Sequence, residues 1–253
     1  MLEGLSKINW DKVRHRNGPA SNLPPLLFQL VSKDKPSQKR AVHDLFGHIC
    51  YHGRVYEVTA RVVPFLYEIL ESPACSERFA VLWLLSSIAG VSFRQDGLHE
   101  DRPEMIWSDN AHRAVRQGVE SVLGLLNEKD KSLRLPALLL LASLPEEAAE
   151  IKPRLLSLLS DEKNPNIRAA LGLALALLGL YEVSAFDDAI KKTPVSLAKD
   201  MAKICLQNKK MTLFACKTIE ECFMETLEPQ DRDWLRDERS LFDNLNFDHD
   251  HKG

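Results

Sequence analysis

Apolar residues recur at helical spacing in four segments of the chain, and one short polar turn interrupts each segment. These segments comprise residues 24–49, 63–90, 119–144 and 152–179. In each, an apolar stretch precedes the turn, and a basic residue and a second apolar stretch follow it. Such spacing indicates amphipathic helices, whereas few stretches alternate apolar and polar residues as half-buried strands would. The pattern therefore predicts four pairs of helices.

One arginine marks the start of the second helix of each pair and measures the repeat. These arginines are Arg40, Arg78, Arg134 and Arg168, so the successive steps are 38, 56 and 34 residues. Helix-pair repeats span roughly 34–47 residues, so the middle step is too long by about 18. The excess falls within VSFRQDGLHEDRPEMIWSDNAHR (91–113), and we predict an inter-repeat insertion over residues 92–110 in the form of a polar loop. Trp107 is expected to open the next helix, WSDNAHRAV.

The remaining segments extend the same organisation into one domain over residues 1–253. Residues 1–23 are expected to cap the first pair, and residues 183–210 form a degenerate fifth pair. Residues 211–245 supply two heavily charged helices that cap the other end, as a stack of repeats requires. The tail 246–253 is expected to be loose.

Stacking is what makes such short helix pairs stable. A two-helix unit has too little core to stand alone, whereas stacked units bury a continuous apolar seam. The helix over residues 39–52 shows the face that would be buried, formed by Ala41, Val42, Leu45, Phe46, Ile49 and Cys50. Each large apolar side chain that is fully buried contributes roughly 1.5–3 kcal/mol. We therefore predict an all-α fold of stacked helix pairs.

KPRLLSLLSDEKNPNIRAALGLAL, which begins at Lys152, resembles the signature PxLLxLLxDxxxxxRxxAxxAL of HEAT repeats. The resemblance implies a right-handed α-α superhelix, a HEAT-like or ARM-type solenoid of about five helix pairs. It also implies a ladder of Asp and Arg, with Asp34 beside Arg40 and with Asp161 or Glu162 beside Arg168. The positions of the other two pairs hold Ser72 and Glu128, so the ladder is expected to be incomplete.

A narrower resemblance covers roughly residues 10–180. The phrases WDKVRHRNGPASNLPPLL, YHGRVYEVTARVVPFL and WSDNAHRAVRQGV are similar to a group of bacterial HEAT-repeat proteins without an established activity. Scaffolds of this kind mostly bind other macromolecules, which implies recognition and not catalysis. Fold alone does not assign a function.

Composition and charge narrow the choice of partner. The net charge is −3, which lacks the basic footprint of a general nucleic-acid binder. The five cysteines form no C-x-x-C pair, as expected of reduced structural thiols. The longest apolar run, residues 169–181, is shorter than the roughly 20 residues that span a bilayer. The N-terminus has no signal-peptide core. We expect a soluble cytoplasmic protein without a membrane partner or cofactor.

Two enzymatic alternatives remain open. A metal enzyme could use ligands in the polar insertion, with the tail sequence DHDH as a second potential ligand cluster. The candidates in the insertion are His99, Glu100, Asp101, Asp109 and His112. HEAT-like DNA glycosylases suggest a second possibility, in which Trp83, Trp107, Asp109 and Arg94 would hold and attack a nucleotide. No G-x-S-x-G motif or glycine-rich phosphate loop is present.

The favoured hypothesis is recognition of a protein or peptide by the concave face, which the second helices line in such stacks. On the helix of residues 39–52, the positions off the apolar face include His43, Asp44 and His48. A shift of about 39 residues puts Leu82, Trp83, Ser86 and Ser87 in the corresponding places. Trp83 would be an aromatic anchor or would only pack between repeats. Arg94 and Trp107 would add an edge from the insertion.

Overall fold

The computed structural model of the protein describes residues 2–51, 54–90, 103–128 and 130–180. Several predictions fall outside these ranges. They concern the degenerate fifth pair (183–210), the C-terminal capping helices (211–245), the tail (246–253), and Arg94 with the other insertion residues before Pro103.

The described residues fold mainly into helices. The α-helices in chain order are α1 (Leu23–Gln29), α2 (Lys35–Ile49), α3 (Thr59–Leu70), α4 (Arg78–Ala89), α5 (Pro103–Arg116), α6 (Val119–Leu125), α7 (Arg134–Ala142), α8 (Ala148–Asp161) and α9 (Pro165–Leu177). Three short 3-10 helices accompany them, at Glu3–Lys7, Lys131–Leu133 and Pro145–Glu147. The predicted helical fold class is confirmed.

Two short antiparallel hairpins flank the first helix pair. Strands β1 (Arg14–His15) and β2 (Gly18–Pro19) form the first, and β3 (Cys50–Tyr51) and β4 (Arg54–Val55) form the second. Gly18 has a φ of 133°, a conformation that side-chain-bearing residues rarely adopt, which explains glycine at this tight turn. The chain before α1 thus contains a hairpin whose Arg16 N–H donates to the His48 carbonyl near the end of α2.

Helices pack in the order that the repeat predicts. Each predicted pair is in contact: α1 with α2, α3 with α4, α6 with α7, and α8 with α9. The second helices also contact one another in chain order, from α2 to α4, α7 and α9. On α2 the predicted apolar face is the buried one. Among the described residues, no helix is both long and apolar enough to cross a membrane.

The insertion corrects one prediction. Residues 92–110 were expected to form a loop that leads into a helix opening at Trp107, but that helix, α5, begins earlier, at Pro103, and contacts α3, α4 and β4. Its buried residues, Ser108, Ala111, His112 and Val115, recur three or four positions apart. Polar residues in this stretch thus include the outer face of an amphipathic helix, which is why their abundance was misread as a loop.

Close packing explains the break between α5 and α6. The Tyr67 hydroxyl donates a hydrogen bond of 2.8 Å to the backbone carbonyl of Val115. The same ring lies against Gly118, where an added Cβ would stand 2.2 Å from the ring. Burial raises the pKa of Tyr67, so the phenol remains the donor. A side chain at position 118 would force this contact apart.

Ion pairs tie neighbouring helix pairs together in a register that differs from the prediction. Arg78 donates to both carboxylate oxygens of Glu128, at 2.8 and 2.7 Å, and Arg134 donates to Glu162 at 3.0 Å. Each of these acidic residues belongs to the pair that follows its arginine. The expected link within one repeat was wrong for the Glu162 carboxylate, because Arg168 instead donates to the Glu162 backbone carbonyl at 2.7 Å.

The first two helix pairs are joined by a buried amide. Asp34 and Arg40 do approach one another as predicted, but at 3.9 Å and on the exposed surface. Gln38 makes the connection between pairs: its Nε2 donates to the carbonyls of Ser32 (2.6 Å) and Ala74 (2.8 Å). Its Oε1 accepts from the backbone N–H and the hydroxyl of Ser76. Ser72 occupies the position at which the expected ladder would have an acidic residue. At this junction the Gln38 hydrogen bonds thus take the place of an ion pair between helix pairs.

Candidate binding surface

Three of the residues predicted to face a partner lie in the core. Trp83, Leu82 and Ser86 are only 2%, 0% and 3% exposed. The Trp83 ring stacks on Phe79 with centroids 6.1 Å apart, and its backbone carbonyl accepts the Ser86 hydroxyl. Helix α4 is buried on all sides, whereas α2 is exposed on one side. Residues of α4 that are equivalent to exposed residues of α2 are therefore still buried. Packing, the alternative considered for Trp83, is the role observed.

The glycosylase constellation is not assembled in the described residues. Trp107 lies half-buried on α5 against the core, Asp109 is exposed on the same helix, and Trp83 is enclosed in α4. Arg94 is outside the described ranges. Within those ranges, no group of three or more His, Cys, Asp and Glu side chains could hold a metal ion. His99, Glu100 and Asp101 also lie outside.

His112 links α5 to the end of α4 and to the 3-10 helix Pro145–Glu147. It is 8% exposed, its Nδ1 lies 3.2 Å from the Ala89 carbonyl, and its Nε2 lies 3.1 Å from Glu146. Burial raises the pKa of Glu146, but its hydrogen bonds and the charges of His112 and Arg116 outweigh burial and lower the pKa. This histidine therefore positions helices.

The exposed candidates lie on α2. Five charged or polar residues form what we call the α2 face: Lys35, Lys39, Arg40, His43 and Asp44. His43 and Asp44, predicted as partner-binding residues, are both exposed, and His48 is half-buried at the C-terminal end of the same helix. The helix is amphipathic because its buried residues are spaced to leave this face outside.

A chain of hydrogen bonds joins the end of α2 to the first hairpin. His15 Nε2 lies 2.8 Å from Asn22 Oδ1, and Asn22 Nδ2 lies 3.1 Å from His48 Nε2. The two imidazoles meet edge to face with centroids 4.5 Å apart. Asn22 thus bridges two histidines that come from different elements.

The ends of this chain determine where the hydrogens lie. His15 Nδ1 accepts the backbone N–H of Asn17 at 2.9 Å, so its Nε2 carries the hydrogen and donates to Asn22. His48 Nε2 accepts from the amide, so its Nδ1 donates to the Asp44 carbonyl at 2.5 Å. Burial lowers the pKa of His15, as do the nearby His48 and Arg14, while the bond to Asn22 raises it.

The two hairpins bring arginine and tyrosine side chains together beside that chain. The backbone N–H of Arg16 donates to the His48 carbonyl at 3.3 Å, and its guanidinium lies 3.3 Å from the ring centroid of Tyr51. Tyr51 is the register partner of Arg54 across the second hairpin. Burial raises the pKa of Tyr56, and the charges of Arg16 and Arg54 offset part of this rise.

Sequence reasoning missed this cluster because its two halves were assigned separate structural roles. HRNGPASN belongs to the predicted cap over residues 1–23, and YHGRVY lies between the first two predicted helix pairs. The available signal was charge: residues 1–58 hold nine Lys and Arg against five Asp and Glu, or +4, within a chain of −3. That asymmetry indicates a polar surface at the first pair.

Comparison of the chain with models of known protein families gave no match, and comparison with curated proteins gave none either.

Proposed function

We propose that the protein is a non-catalytic scaffold, a right-handed HEAT-like solenoid that recognises a protein or peptide partner. The α2 face is where recognition takes place. Helix pairs that contact one another in chain order support the solenoid. The observation that carries the binding role is the contrast between α2, with its exposed polar face, and α4, which is enclosed on every side.

The charges of the surface favour an acidic partner. Lys35 and Lys39 extend from the α2 face, and no carboxylate of the described residues pairs with either at ion-pair distance. Unpaired surface cations raise the association rate of acidic partners and select against basic ones. Recognition would combine this attraction with oriented polar contacts from His43 and Asp44.

Site-specific photo-crosslinking tests the proposal. A benzophenone amino acid replaces His43 or, in a separate variant, the exposed Lys163 between α8 and α9. After irradiation in extract of the host cell, mass spectrometry identifies the captured protein, which is then purified. We expect capture from position 43 and not from position 163. Equal capture from both positions would contradict a localised surface.

Affinity measurements with the purified partner complete the test. Lys39→Glu combined with Arg40→Glu should weaken binding by about tenfold or more, since both charges are reversed. Lys163→Glu makes the same kind of change elsewhere and should leave affinity within about twofold. These exposed substitutions are expected to alter folding stability by less than about 0.5 kcal/mol each. Unchanged affinity in the double variant refutes the α2 face.

Nucleic-acid binding is the second candidate, favoured by the +4 charge of residues 1–58. Titration with single- and double-stranded oligonucleotides distinguishes it. If the protein binds through phosphates, the logarithm of the affinity should fall linearly with the logarithm of the salt concentration. The slope should be proportional to the number of phosphates contacted. An absence of oligonucleotide binding at low salt rules this candidate out.

A further inference from the structure

The arginines between the two hairpins have no acidic partner in the described part of the chain. Arg16 and Arg54 are exposed, and no described carboxylate lies within 4.0 Å of either guanidinium. The nearby Glu57 instead accepts the backbone N–H of Arg14 at 3.2 Å. Arg16, which stacks on Tyr51, and Arg54, the strand partner of Tyr51, are therefore two neighbouring positive charges that no carboxylate of the described residues neutralises.

Stacking prepares Arg16 for one particular kind of ligand. Its guanidinium carbon lies 3.3 Å from the Tyr51 ring centroid, so one face of the guanidinium is covered by the ring. The N–H donors point outward within the guanidinium plane, so the edge of the group remains open for hydrogen bonds. A planar fork of donors matches the two oxygens of a carboxylate or of a phosphate. Because the stack already restricts the side chain, binding costs less conformational entropy.

The surroundings hold this arrangement in place. The backbone of Arg16 is fixed by its bond to His48, and Tyr51 and Arg54 are fixed by the register of the second hairpin. The His15–Asn22–His48 chain lies alongside and contains no acidic group that would compete for the arginines. The site is therefore built from elements that are themselves ordered by hydrogen bonds.

We propose that Arg16 and Arg54, with Tyr51 as the stacking platform, bind an oxyanion, a carboxylate or phosphate group carried by the peptide partner. The proposal rests on the proposed function and names the chemistry that the partner must supply. A second tyrosine, Tyr56, is half-buried and directly follows β4, two positions from Arg54.

Fluorescence anisotropy with short labelled peptides tests this site directly. The probes are a peptide of glutamates, the same peptide with glutamine, a phosphoserine peptide, and a single-stranded oligonucleotide. We expect binding of the glutamate or the phosphoserine peptide and no binding of the glutamine peptide. The tighter of the first two identifies the source of the oxyanion. Binding of the oligonucleotide alone overturns a peptide partner.

Variants separate a shaped site from general positive charge. Arg16→Gln and Arg54→Gln should each weaken binding by about tenfold, the worth of a lost charge-assisted bond. Arg16→Lys keeps the charge but loses the planar fork, and Tyr51→Leu loses the stacking ring, so both should weaken binding severalfold. Lys163→Gln removes one exposed charge elsewhere and should have little effect. Thermal unfolding of each variant checks that it remains folded.

Two results would overturn the site. One is an Arg16→Lys variant that binds as tightly as the wild type, and the other is a Lys163→Gln variant that weakens binding as much as Arg16→Gln. The outcome is separable from that of the proposed function. If the purified partner is captured at position 43 and binds the Arg16→Gln, Arg54→Gln double variant normally, the oxyanion site is wrong while the α2 face stands.

Discussion

Replacing Gln38 by Met should destabilise the junction between the first two helix pairs. The side chain is 1% exposed, and its amide links the carbonyls of Ser32 and Ala74 with the N–H and hydroxyl of Ser76. Methionine has a similar size and good helix propensity, so the substitution removes the hydrogen bonds while it leaves packing nearly unchanged. The test therefore isolates the polar link.

The expected loss follows from the groups left behind. Two backbone carbonyls and one backbone N–H lose their partner, and each such group costs about 1–3 kcal/mol when it stays buried. Ala74 and Ser76 are exposed residues, so water can replace part of these bonds. We therefore take about 1 kcal/mol for each group and expect a total loss of roughly 2–4 kcal/mol in the free energy of unfolding.

Urea denaturation and hydrogen exchange measure this loss globally and locally. Lys39→Met is the matched control, because it places the same side chain one position further along α2 on the exposed side; it should stay within about 0.5 kcal/mol of the wild type. Exchange of the Ser76 amide should accelerate in Gln38→Met and not in the control. The reasoning fails if Gln38→Met costs less than the control, or if Ser76 exchange is unaltered.

Three further perturbations test other contacts. Gly118→Ala should lower the free energy of unfolding, measured by urea denaturation, by about 1–3 kcal/mol, because the added Cβ would meet the Tyr67 ring. Tyr67→Leu in the same chain should recover part of that loss, and additive losses would contradict the contact. Glu128→Gln should cost about 1 kcal/mol at pH 7, discounted because the side chain is 38% exposed. Arg78 lowers the pKa of Glu128 through their hydrogen bond. The ion pair therefore contributes its full stability above the ordinary pKa of 4.5 and loses it as the pH falls through the lowered pKa. A difference in stability from the wild type that persists unchanged at pH 2 would refute the assignment. Trp83→Ala should lower stability by about 3–5 kcal/mol, and Trp83→Phe by less, whereas a folded Trp83→Ala protein of wild-type stability would contradict its place in the core.

Local pattern was sufficient for the helix pairs and insufficient for their surfaces. On α2, apolar residues at helical spacing predicted the buried face correctly, because one side of that helix meets solvent. On α4 the same reasoning placed Trp83 and Leu82 outside, but every side of α4 is covered. Hydrophobic periodicity distinguishes the buried face of a helix from its exposed face. It gives no such distinction for a helix that is surrounded by protein on every side.

Charge pairing shows the same limit. Arginine at a constant place in each repeat was visible along the chain, and its partner was assigned within the same repeat. In the structure Arg78 and Arg134 reach the carboxylates of the next pair instead, residues 50 and 28 positions away. Such distances along the chain are bridged by stacking, and Gln38 assumes the equivalent link where no carboxylate stands. The repeat period predicts which residues are equivalent and leaves open which of them touch.

The amino-acid pattern was thus enough to establish helices, their pairing and the arginine spacing, since these depend on neighbours within a few turns. It also contained the residues of both hairpins, in two segments that were not assigned to a common site. Folding brings Arg16 onto Tyr51 and joins His15 to His48 through Asn22. These contacts form only when the packing of α1 against α2 brings the two hairpins together. That packing involves residues that are distant along the chain.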